Sequence, residues 1–189
     1  MKRQRVENLL GALSLAITDA VARGIEEAEG AYGSDTFAII LLLHAETLRS
    51  DVLARQLGLA QSSTVRLVDR LEREGLVERN TGSDRRIVMV GLTARGLRAA
   101  ESILTARRNV LRDLVGRLTE SERLALHGIS SKLLTGLTVD IESGEHNCRL
   151  CDEDACNLAD CPVETTYQTF EGALQPPIRK AAEKAQKST

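Results

Sequence analysis

Apolar residues recur at helical spacing from the start of the chain. Val6, Leu9, Leu10, Leu13, Ile17, Ala20 and Val21 share one stripe over residues 6–29, and Gly30 and Gly33 close it, which predicts an amphipathic helix. Ser34-Asp35 offers a cap for a second helix through Phe37, Ile39, Ile40, Leu41, Leu42 and Leu43, apolar nearly all round and so expected to be buried. His44 ends that run and reads as a packed or capping residue. A short helix follows from Ser50-Asp51, with Val52, Leu53, Ala54 and Leu57 inward and a stop at Gly58. Another opens at Gln61-Ser62-Ser63-Thr64 and is expected to turn Val65, Leu67, Val68 and Leu71 inward until Gly75. Two β-prone segments, Leu76 to Arg79 and Arg85 to Val90, flank the polar loop Asn80-Thr81-Gly82-Ser83-Asp84 and predict a hairpin. Thr93 then caps a long helix running through Leu118, and Thr119-Glu120-Ser121-Glu122 has the form of a capping box opening a further helix through Leu137.

Two short helices joined by a tight turn, the second opening with small polar residues, form a helix-turn-helix pattern. Ser62, Ser63 and Thr64 at the helix start allow the backbone to approach phosphates and base edges, and Arg66 and Arg70 reach phosphate or guanine. Arg85 and Arg86, at the hairpin tip or on its return strand, suit the flanking minor groove of duplex DNA. Arg73 reads as a salt-bridged surface residue, and Arg107, Arg108 and Arg112 as a solvated helical face.

The run from Ser62 to Arg79, followed by Asp84-Arg85-Arg86 and by Val90-Gly91-Leu92-Thr93-Ala94-Arg95-Gly96, resembles the MarR family of winged-helix regulators. The resemblance spans roughly residues 5 to 141. It implies a mainly α winged helix-turn-helix fold with long dimerisation helices and a small two-stranded wing. It also implies a homodimer on a pseudo-palindromic duplex operator, control by small molecules or redox chemistry, and usually repression. DNA contact is thereby carried onto Ser62, Ser63, Thr64, Arg66, Arg70, Arg85 and Arg86. Asp84 and Arg86 match the family's Asp-x-Arg wing motif, with Asp84 expected to orient Arg86 or cap the loop.

Composition adds a partition that the hydrophobic pattern does not show. The 189 residues carry a formal charge of −2, yet residues 140–171 hold nine acidic side chains against Arg149 alone, a local −8 that leaves +6 on the remainder. A mildly basic body therefore carries an acidic appendage, and its modest excess charge predicts weak non-specific DNA affinity with a marked salt dependence. Two Phe, two Tyr and no Trp argue against base stacking on single strands. The chain shows no apolar run of the ~20 residues that a membrane span requires, which points to the cytoplasm and to no membrane partner. Ser, His and acidic residues form no catalytic constellation, and no Gly-rich phosphate loop is present, so an enzyme is not expected.

All four cysteines lie in the acidic appendage, as Cys148, Cys151, Cys156 and Cys161 in a C-x2-C-x4-C-x4-C-P pattern. Four thiols within 14 residues of a cytoplasmic chain argue for a metal centre or a redox switch rather than structural disulfides. A single compact loop ending in Cys-Pro is nearer to iron–sulfur loops than to the paired knuckles of a zinc ribbon, which ranks a cluster ahead of structural zinc. Metal-free thiols forming a reversible disulfide, for example from Cys148 to a later cysteine, are the third option. The acidic residues either keep the tail solvated or pack on a basic face of the body. Tyr167 and Phe170 are expected to pin it there.

The organisation expected is a dimerisation helix over 1–33, a winged lobe over 34–93, dimerisation helices over 94–142, a metal-binding appendage with the four cysteines over 143–175 and a basic tail over 176–189. A second functional class, a metal- or redox-binding protein using the helix-turn-helix as a dimerisation and interaction scaffold, stands beside the regulator.

Overall fold

The computed structural model describes residues 2–81, 88–156 and 158–170. Helix α1 (Arg3–Glu29) and α2 (Ser34–Ala45) precede a short strand β1 (Thr47–Arg49), followed by α3 (Ser50–Gln56) and α4 (Gln61–Arg73). Strands β2 (Val77–Thr81) and β3 (Val88–Leu92) lead into the long α5 (Ala94–Val115) and then α6 (Glu120–Leu137). The appendage consists of α7 (Ile141–Cys148), two 3-10 turns (Glu153–Ala155 and Leu158–Asp160) and α8 (Pro162–Phe170). Asp84, Arg85 and Arg86 lie outside the described residues, as does the basic tail.

The helix boundaries follow the caps read from sequence. Thr93 Oγ1 accepts from the Gly96 amide at 3.1 Å at the start of α5. Thr119 and Glu122 form the reciprocal capping box of α6, the Thr119 amide donating to Glu122 Oε2 at 2.8 Å. At α2 the cap residue is Gly33, one position earlier than Ser34, with its amide donating to Thr36 Oγ1 at 3.3 Å.

The wing is part of a three-stranded antiparallel sheet ordered β1-β3-β2, not a two-stranded one. Val90 in the centre lies opposite Leu48 on one side and Arg79 on the other. Three residues of β1 are too few to show a strand period in sequence. The core joins α1, α2, the helix-turn-helix, the sheet and α5 through Ile25, Ile40, Leu42, Leu53, Leu71, Val90 and Ile103, each buried.

The two faces that this core leaves open are apolar. Leu9, Leu10, Leu13 and Leu15 on α1 are exposed, and α6 has no buried residue although it carries Leu124, Ile129, Leu133 and Leu137. By length and composition alone α1 would pass as a membrane span, although its apolar residues form no unbroken run. Asp19 interrupts it, and Val21 and Ile25 of its C-terminal half are buried in the protein core, with α1 packed along α5.

Candidate nucleic-acid interface and cysteine appendage

The register of α4 decides which of its side chains are available. Thr64, Leu67, Val68 and Leu71 are the buried set, spaced at i, i+3, i+4 and i+7. Thr64 is fully buried and its hydroxyl donates to the Ala60 carbonyl at 3.3 Å, so its side chain does not reach the outer face. Val65, expected inward, is 41% exposed. This reverses the orientation expected of the pair: burial of Leu67, Val68 and Leu71 fixes the helical register, which places Thr64 inward and Val65, one step on, outward. Ser62, Ser63 and Arg66 remain exposed on the open side of α4.

Arg70 is tied across to α2 in a bidentate pair with Asp35, its Nε donating to Oδ2 at 3.0 Å and its Nη2 to Oδ1. The carboxylate raises the Arg70 pKa above its ordinary value. Arg79 of β2 bridges back to α4, its guanidinium donating to Asp69 and to Glu72 at 2.6 Å each. Between α4 and the wing an open groove of about 570 Å³ is lined by Arg49, Gln61, Val65 and Arg79 among others. Arg49 lies in β1, a strand too short to stand out in sequence, and it pairs with Asp51, its Nε and Nη2 donating at 3.0 and 2.8 Å.

The appendage is folded against the winged lobe. His44 at the end of α2 is hydrogen-bonded through Nε2 to the Cys151 carbonyl at 2.9 Å, and its Nδ1 lies 3.7 Å from Glu153. Gln56 and Arg55 at the end of α3 donate to Glu145 Oε1 of α7 at 3.2 and 3.3 Å. Arg108 of α5, read from sequence as part of a solvated face, donates to buried Asp152 at 2.7 Å and holds that carboxyl below its usual pKa. Arg149 stacks over Phe37, 4.8 Å from the ring centroid. On its other side the appendage touches α6 through α8. Tyr167 meets Gly144, where an added Cβ would lie 3.0 Å from its ring.

The cysteines frame this unit. Cys148 ends α7, and the Cys151 amide donates to its carbonyl at 2.8 Å, closing one turn between the first two thiols. The Cys161 carbonyl accepts from Thr165 at the start of α8. Cys148, Cys151 and Cys161 are half-buried and Cys156 is exposed. Partial desolvation, then the charges of Cys151 and Cys161, push the Cys156 thiol above its ordinary pKa. Among the described residues no three His, Cys, Asp or Glu side chains converge as a set of metal ligands. Four thiols are, in type and number, the donor set of a thiophilic centre.

Comparison with known proteins agrees with the lobe. The sequence profile of the MarR family matches residues 34–88. The HTH-type transcriptional regulator YwhA of Bacillus subtilis is 32% identical over 95 residues, covering 50% of this chain and 68% of that protein. The HTH-type transcriptional repressor MdtR of the same organism is 27% identical over 115 residues, 60% of this chain and 74% of its own length. A solved MarR family protein from Bacillus stearothermophilus superposes with a TM-score of 0.62 at 27% identity, covering 73% of this chain and 99% of that one. Its profile, its curated relatives and its fold agree: the chain belongs to the MarR family of winged-helix DNA-binding transcriptional regulators, which are not enzymes.

Proposed function

We propose that the protein is a cytoplasmic repressor that binds a pseudo-palindromic duplex operator as a homodimer, and that a centre held by Cys148, Cys151, Cys156 and Cys161 sets its operator affinity. The observation that carries this reading is the docking of the cysteine appendage on α3, the helix leading into α4. The same appendage reaches α6 through α8, so it spans the reading head and the helix that faces a second subunit. Exposed Ser62, Ser63 and Arg66 supply the reading face, and the uncovered apolar stripes of α1 and α6 supply the dimer surface. The repressor MdtR is a relative, which favours repression as the sense of control. An iron–sulfur cluster, ahead of structural zinc, would make the centre responsive to oxidants or iron supply. The resemblance leaves room for an organic effector besides.

The chain's own residues explain how such a signal would travel. A folded Cys148–Cys161 loop presents the Cys151 carbonyl to His44 and Asp152 to Arg108, holding α2 and α5 together. Unfolding of that loop removes both contacts. The test uses full-length protein purified anaerobically. Its absorption spectrum is recorded with iron, sulfide and zinc content, its mass by light scattering, and its target by selection from a random duplex library. The expected result is a coloured dimer that enriches a two-fold symmetric sequence, with Cys151→Ala changing affinity for that sequence at least tenfold. A monomer, an asymmetric or absent motif, or unchanged affinity of Cys151→Ala overturns the corresponding part.

A further inference from the structure

The outer side of α4 carries one apolar side chain among polar ones. Val65 is 41% exposed, and among the described residues of 34–92 it is the one large hydrophobic side chain on the surface; the others that are exposed lie on α1, α5 and α6 or at Val139. A lone exposed valine is ordinary on a protein surface, but this one stands three residues after Ser62 and beside Arg66, both exposed, and positions i and i+3 adjoin on a helix. The buried set Thr64, Leu67, Val68 and Leu71 fixes its direction. One helical step of about 100° from Thr64 turns Val65 away from the core and toward the groove between α4 and the wing, which it lines with Arg49, Gln61, Asp69, Arg79 and Val88. The polar groups of that groove are engaged with one another: Asp69 accepts from Arg79, Asp51 accepts from Arg49, and the Gln61 amide nitrogen donates to Ser50 Oγ at 3.3 Å.

We infer that Val65 is a specificity-determining residue that reads thymine, its methyl groups packing on the C5-methyl of one thymine in each half of the operator. An α-helix is admitted by the major groove, and of the groups that the base pairs display there the thymine C5-methyl is the apolar one. N7, O6, O4 and the exocyclic amines reward hydrogen-bonding partners, and phosphates reward donors and cations, neither of which valine supplies. Ser62 and Arg66 beside it have the donors for phosphate or guanine, so the start of α4 offers a polar and an apolar means of discrimination side by side. This assignment rests on the operator-binding dimer proposed above and is independent of whether the cysteines hold a metal.

The test replaces thymine by deoxyuridine, which removes the C5-methyl and leaves the base pair intact. Full-length wild-type protein and Val65→Ala are titrated by fluorescence anisotropy against the duplex selected from the random library, with each thymine replaced in turn, in one half-site and then in both. For the wild type, replacement at one thymine position is expected to lower affinity about fourfold in one half-site and about 16-fold in both, the fold-change that burial of one methyl group corresponds to. For Val65→Ala the same replacement is expected to change affinity less than about twofold per half-site, and the Tm of the variant to stay within about 2 °C of the wild type, since the side chain is exposed. An enriched symmetric sequence whose thymines are absent or all indifferent to deoxyuridine, or a loss on deoxyuridine of equal size in wild type and Val65→Ala, overturns the assignment and leaves the operator reading intact. A library that yields no enriched sequence overturns both.

Discussion

The substitution Gly96→Ala tests how the wing is joined to α5. An ideal Cβ at Gly96 would lie 2.0 Å from the Leu76 carbonyl oxygen, 3.0 Å from its carbon and 3.1 Å from Leu92 Cδ2. Relief requires the backbone at Leu76 to move by about 1 Å, because Cβ atoms do not approach oxygen below about 3 Å. That carbonyl is in use: it accepts from the Thr93 amide at 3.0 Å and from Thr93 Oγ1 at 3.3 Å, and Thr93 Oγ1 also donates to the Gly75 carbonyl at 2.7 Å. Losing the backbone bond costs about 1–3 kcal/mol and disturbing the Thr93 cap about 1 kcal/mol. The higher helix propensity of Ala returns at most about 1 kcal/mol, less in the first turn. The net loss is about 2 kcal/mol, a fall in Tm of about 4–8 °C for a chain of this length. Thermal unfolding at a fixed protein concentration measures it, since dimerisation makes Tm concentration-dependent. A variant as stable as the wild type would show that propensity outweighs the clash, and the account of why glycine follows Leu92-Thr93 by three residues would fail.

Two further substitutions separate the reading head from its core. Thr64→Val preserves volume and removes only a hydroxyl bonded to its own helix, so operator affinity is expected to stay within about twofold, whereas Arg66→Ala lowers it about 5- to 100-fold in fluorescence anisotropy on the selected duplex. Equal losses in both variants would mean that the register of α4 is misassigned. At the appendage, Arg108→Ala leaves the buried carboxylate of Asp152 without its partner. Because Arg108 is itself 57% exposed and screened, the loss is expected near 1 kcal/mol, read as faster proteolysis within residues 141–170 while the lobe stays resistant. Uniform proteolysis of both parts would refute a local latch.

The lobe was legible because long-period apolar stripes and caps act locally. The stripe ending at Val21, the Thr93 cap and the Thr119–Glu122 box depend on residues within one or two turns of each other. Two kinds of feature were not. The exchange of Thr64 and Val65 turns on helical phase, which residue polarity alone misorders when a buried hydroxyl can donate to its own i−4 carbonyl. The signal was present in the i, i+3, i+4, i+7 spacing of 64, 67, 68 and 71. That the appendage packs on the body was one of the two readings sequence offered, but its partners could not be read, since His44 and the Cys151 carbonyl lie 107 residues apart and Arg108 and Asp152 lie 44 apart. An arginine on an amphipathic helix looks the same in sequence whether it meets water or a carboxylate that returns from a distant loop. What sequence did provide was the charge partition, and its acidic half does supply partners for Arg55 and Arg108.

The proposed coupling between cysteines and operator is quantitatively undemanding, and it carries a reciprocal consequence. A tenfold change in operator affinity corresponds to about 1.4 kcal/mol. One hydrogen bond of the His44–Cys151 kind contributes about 0.5–1.5 kcal/mol and a screened ion pair about 0–1 kcal/mol, so loss of the docking contacts on α2, α3 and α5 covers that amount without a large rearrangement. Linkage then requires that operator DNA change the stability of the centre by the same factor and in the same sense. If the loaded form binds the operator ten times more tightly, the operator raises the affinity of the four thiols for their metal tenfold; if the loaded form binds more weakly, the operator lowers it tenfold. The measurement is a chelator competition on the metal-loaded protein, with saturating operator duplex and with a scrambled duplex of equal length. A chelator midpoint that is the same with both duplexes, in a protein whose operator affinity differs between loaded and metal-free forms, would violate the cycle. The difference in affinity would then belong to damage in the metal-free protein and not to a coupling through α3.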